Sequence, residues 1–142
     1  MKKLVILLVE DNSQDAFLVT EALEEQEFIA KIHHVEDGAK AILFLKKLPP
    51  YENEEQPNLI LMDINMPIMN GHEALKKIKS IPEIKHIPVL MLTTSSRNED
   101  ILKAYREQTS SYIVKPDDIY ALDNLAATMK NYWTSTVRLP EE

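Results

Sequence analysis

Short aliphatic runs alternate along this chain with longer segments in which apolar residues recur every three or four positions. The short runs predict strands over residues 3–9, 31–35, 58–62, 89–92 and 112–114. The longer segments predict helices over 13–26, 38–47, 71–80, 98–107 and 117–133. Three of the strands are almost unbroken apolar sequence, as expected where helices cover both faces of a parallel sheet. Right-handed crossovers then give a doubly wound α/β sheet with its ligand site beyond the carboxyl ends of the strands.

Local signals sharpen several boundaries. Ser13 is the expected N-cap of the first helix, with Asp15 near its positive end and Glu21 on its polar side. Asp117 and Asp118 place negative charge where the last helix begins, and Ile119, Leu122, Ala126, Met129 and Trp133 form its buried stripe. Residues 48–57 hold three prolines and three glutamates in ten positions, which predicts a solvated loop. Met62, Met66, Met69 and Met91 read as core filler. His33, His34, His72 and His86 lack metal-ligand spacing and read as surface or boundary residues.

Length and charge narrow the function. The 142 residues fit one domain with a proper core and leave no room for a second folded module. Sixteen basic residues against twenty-three acidic ones give a net charge of −7, so the surface repels polyanions and nucleic acid is not an expected partner. Cysteine is absent, which removes thiolate chemistry and sulfur ligation. Lys2 and Lys3 before an aliphatic run imitate a secretory leader, but charge at Glu10 and Asp11 stops the run too early. No stretch approaches the roughly 20 apolar residues that cross a bilayer. A cytoplasmic protein with no membrane partner is expected.

The candidate chemistry lies at the strand ends. Glu10 and Asp11 close the first strand and Asp63 follows the third, so three carboxylates crowd one sheet edge. Acids this close repel and lose ionisation unless a cation joins them, and an all-oxygen set suits magnesium. Phosphoryl transfer needs a nucleophile, a divalent ion and fixed donors. Asp63 is the candidate nucleophile, with Glu10, Asp11, Asp63 and the backbone carbonyl of Asn65 as metal ligands. Thr93 offers a hydroxyl and Lys115 an ammonium to the phosphoryl oxygens.

The segments Val-Glu-Asp-Asn at 9–12, Met-Asp-Ile-Asn-Met-Pro-Ile-Met-Asn-Gly at 62–71, Leu-Thr-Thr-Ser at 92–95 and Tyr-Ile-Val-Lys-Pro at 112–116 resemble the motifs of two-component response regulator receiver domains. The resemblance covers residues 3–131 and implies a flavodoxin-like (βα)5 fold with strand order 2-1-3-4-5. A receiver domain is expected over 1–133 and a C-terminal tail over 134–142, the tail being either disordered or an extension of the last helix. The resemblance further implies magnesium-dependent transfer from a sensor histidine kinase to Asp63, without turnover as an enzyme. Thr93 and Tyr112 would act as the switch, altering a face made by the fourth helix, fifth strand and fifth helix, through which such proteins often dimerise. Within the family, the 92–101 segment, the Pro-rich loop and Tyr132-Trp133 look most similar to stand-alone regulators paired with bacteriophytochromes.

Two rival readings compete with this one. A haloacid-dehalogenase-like phosphatase needs a second acid where Asn65 stands, and its nucleophile follows the first strand. A phosphorylation-independent interaction module with the same fold is the stronger rival. Departures from the family pattern are Gln108-Thr109 where Gly-Ala is common, which requires another way of closing that turn, and Thr94 where Ala is commoner.

Overall fold

The computed structural model describes residues 3–27, 29–93, 97–109, 111–115, 124–129 and 140. Five strands, β1 (Leu4–Val9), β2 (Ile29–Val35), β3 (Leu59–Met62), β4 (Val89–Thr93) and β5 (Ser111–Val114), form one parallel sheet in the order β2-β1-β3-β4-β5. The connecting helices are α1 (Ser13–Glu24), α2 (Gly38–Leu45), α3 (Gly71–Ser80) and α4 (Asn98–Arg106), and residues 124–129 are helical. This is the doubly wound α/β fold predicted from the alternation of aliphatic and helical segments.

The sheet has two packed faces because successive side chains of a strand point to opposite sides. Leu7, Val9, Ile60, Met62, Val89 and Met91 face one core with Phe44, Leu45, Leu75 and Ile78 of α2 and α3. Ile6, Leu8, Leu59, Leu61, Leu90 and Leu92 face the other with Ala16, Val19, Leu23, Ala126 and Met129. Every residue of β1, β3 and β4 is therefore buried, while the edge strands β2 and β5 are mixed.

Several local expectations are corrected. Asn12, not Ser13, caps α1, because its amide oxygen reaches the Asp15 N–H at 2.9 Å. Strand β2 begins at Ile29, whose burial adds an anchor ahead of the predicted start. The loop over 48–57 is not wholly solvated: Tyr51 packs on Phe44 with ring centroids 5.2 Å apart, and Gln56 Nε2 donates to the Leu45 carbonyl at 3.0 Å. His72 is buried, since it lies three and six residues before Leu75 and Ile78 on the inward side of α3. The expected caps Asp117 and Asp118, the stripe positions Ile119, Leu122 and Trp133, and Thr94 lie outside the described residues.

The turn after α4 closes without glycine. Gln108 takes a left-handed φ of 72°, and the buried Thr109 hydroxyl donates to the Val89 carbonyl at 2.9 Å. The Thr109 N–H donates back to the Ala104 carbonyl at 3.1 Å. Gln108 thus takes the left-handed position that glycine ordinarily fills, and the Thr109 hydrogen bonds to Ala104 and β4 hold the turn closed.

Candidate functional site

Parallel register brings the carboxyl ends of β1, β3, β4 and β5 to one rim. The Asp63 N–H donates to the Val9 carbonyl at 3.0 Å, and the Lys115 N–H donates to the Thr93 carbonyl at 2.6 Å. Glu10 and Asp11 therefore stand beside Asp63, and Lys115 beside Thr93. Asn65 is exposed two residues beyond Asp63, in the loop that leads to α3.

That loop is pinned from behind by Gly71, whose N–H donates to the Ile64 carbonyl at 2.8 Å. A Cβ at position 71 would lie 2.2 Å from the Asp63 carbonyl oxygen, so glycine is required by close approach of two backbone segments. The Asn70–Glu73 capping box then starts α3. Asp63 Oδ1 accepts from the Ile64 N–H at 2.8 Å, which fixes the carboxylate direction.

Oxygen atoms of Glu10, Asp11 and Asp63 lie within 4.8 Å of one another. Glu10 and Asp63 are buried while Asp11 is exposed, giving a cup open on one side. The donor set is hard, anionic and all oxygen, which fits magnesium or a similar divalent ion. Electrostatics point the same way: the Glu10 carboxyl is pushed up to about 7, chiefly by burial and then by the negative Asp63, with the Lys115 hydrogen bond pulling against both. A cation in the cup would reverse the effect of Asp63.

Lys115 Nζ donates to Glu10 Oε1 and, at 3.0 Å, to Asp15 Oδ2. Burial would lower the pKa of this ammonium, but those two carboxylates and the charge of Asp63 outweigh it and raise the value. Thr93 is fully buried at the end of β4. Tyr112, half-buried on β5, receives the Tyr105 hydroxyl oxygen as acceptor for its N–H at 3.2 Å, tying β5 to α4. Glu10, Asp11, Asp63, Thr93 and Lys115 thus gather at one rim, with exposed Asn65 in the loop directly after Asp63 and Tyr112 further back on β5. In the sequence Asp15 shows only as a helix-start acid. Its link to Lys115 spans 100 residues of sequence and had no local signal beyond its place in the first turn of α1.

A five-stranded parallel sheet in this order, with an acidic cup and a lysine at its carboxyl rim, defines a receiver domain. The family model of the response regulator receiver domain matches residues 6–127, and the chain belongs to that family. Among individual relatives it is similar to the response regulator Rcp1 of Synechocystis sp., with 38% identity over 96% of this chain and 92% of that protein. It is also similar to the probable methanogenesis regulatory protein FilR2 of Methanothrix harundinacea, with 35% identity over 96% of this chain and 87% of that one. The crystal structure of the phosphorylated cyanobacterial phytochrome response regulator RcpA superposes with a TM-score of 0.91 at 37% identity, covering 98% of this chain and 99% of that one. The Mn(2+)-bound form of Rcp1 gives 0.87 at 38% identity, covering 97% and 99%.

Proposed function

We propose that this chain is a single-domain response regulator, its receiver over residues 1–133, that accepts a phosphoryl group on Asp63 from a sensor histidine kinase. The observation that carries the reading is the convergence of Glu10, Asp11 and Asp63 within 4.8 Å at the rim where Thr93 and Lys115 also end their strands. Glu10, Asp11, Asp63 and the Asn65 carbonyl would hold magnesium, directly or through water. Such an ion would supply positive charge to the phosphoryl oxygens, and the Asp63 carboxylate is the attacking group. Thr93 and Lys115 receive the remaining charge. The chain works as a phosphoacceptor without turnover on a separate substrate. The relatives whose names mention phytochrome favour a phytochrome-type kinase as the donor.

A new charge of about −1.5 to −2 at Asp63 draws Thr93 and Lys115 inward. Tyr112 then follows Thr93, and the face of α4, β5 and the last helix changes shape. Leu102, Tyr105 and Val114 are exposed on that face, which supports its use for self-association or docking. We read the protein as cytoplasmic, and the net charge of −7 supports a partner other than nucleic acid; among the described residues no helix is long and apolar enough to cross a membrane.

Intact-mass spectrometry after incubation with acetyl phosphate and magnesium tests the reading. One added phosphoryl group is expected in the natural chain and none in Asp63→Asn. No adduct under conditions that label a known receiver domain would favour a phosphorylation-independent interaction module.

A further inference from the structure

An ammonium group has three hydrogens to donate. Lys115 commits one to Glu10 and one to Asp15, leaving one for anything that arrives at Asp63. The two carboxylates differ in what they lose when the lysine moves. The Glu10 side chain is 2% exposed and would be stranded without a partner, whereas the Asp15 side chain is 34% exposed and has water behind it. Asp15 is also held in place, since its N–H is bound by the Asn12 cap at 2.9 Å in the first turn of α1.

A carboxylate in that turn has a local role, matching the positive end of the helix. That role needs no lysine from the far end of the chain. We infer that Asp15 is a positioning residue that holds Lys115 toward α1 in the resting protein and competes with phosphoryl oxygens for it. This rests on the reading of Asp63 as phosphoacceptor. During transfer an Asp63 oxygen bonds to phosphorus as the bond from phosphorus to the donor's leaving group breaks, and the electron pair departs with the donor. Lys115 contributes charge and gives up no proton. As phosphoryl oxygens draw the ammonium away from α1, the contact to Asp15, the more solvated of the two, is the one that lengthens.

The test is the rate of Asp63 labelling by acetyl phosphate at saturating magnesium, read by intact mass in a double-mutant cycle. Asp15→Asn is expected to label about two- to fivefold faster, the range carried by an ion pair of this exposure. In a Lys115→Met background the same substitution changes nothing, whereas loss of a helix-end charge alone would act equally in both backgrounds. As a second measurement, the Lys115 ammonium signal in 15N NMR shifts in Asp15→Asn without any phosphodonor. A labelled natural chain with an unchanged Asp15→Asn rate, an acceleration that persists in Lys115→Met, or an unmoved Lys115 signal overturns the role of Asp15. A natural chain that takes no label overturns the phosphoacceptor reading itself.

Discussion

Carboxylate oxygens of Glu10, Asp11 and Asp63 lie within 4.8 Å of one another, so their mutual repulsion works against folding when no cation is bound. In the presence of a chelator, Asp11→Asn is expected to raise stability to urea by about 1 kcal/mol through relief of that repulsion. Added magnesium should stabilise the natural chain and leave the variant unchanged; a variant less stable than the natural chain in chelator would contradict this. His33 gives a separate residue-level prediction. The residue is half-buried, with Nε2 unpartnered and the ring 4.9 Å from Phe44, and burial lowers its pKa despite the nearby Glu54. A histidine with a depressed folded pKa binds fewer protons folded than unfolded, so its stabilising share is full above the ordinary value of 6.5 and is lost as pH falls below it. Thermal melts from pH 7.5 downward should show a shallower loss in His33→Phe than in the natural chain.

At the scale of elements, the aliphatic runs of β1, β3 and β4 were legible because burial on both faces leaves no polar position to confuse the pattern. Edge strand β2 was placed two residues late, since Ala30 and Lys31 are exposed and interrupt the run begun by Ile29. Tyr51 and His72 were misread for a related reason: each belongs to a polar-looking segment, yet tertiary packing against Phe44 in one case and α4 in the other buries it or draws it inward. The turn after α4 carries its own prediction. Gln108 bears the cost of a left-handed backbone, roughly 1–2 kcal/mol for a residue with a Cβ, offset in part by the entropy a glycine would lose. Gln108→Gly should therefore gain about 0.5–1 kcal/mol in chemical denaturation, while Thr109→Val should lose stability by removing the hydroxyl bridge to Val89.

For the whole molecule, parallel strand order converts short motifs scattered over more than a hundred positions into one rim. Each acid was visible in the sequence as the end of an aliphatic run, and the order β2-β1-β3-β4-β5 puts Asp63 between the acids of β1 and the Thr93 of β4. The Asp15–Lys115 contact was not visible, because it depends on how α1 is seated against the sheet and not on any spacing along the chain. The central claim is that this rim receives phosphate on Asp63 with a divalent ion in place. Borohydride reduces an aspartyl phosphate to homoserine, so peptide mapping after labelling and reduction locates the acceptor directly. Homoserine at position 63 with magnesium, and its disappearance with chelator, is the predicted result; homoserine at another aspartate, or at 63 regardless of chelator, would contradict it.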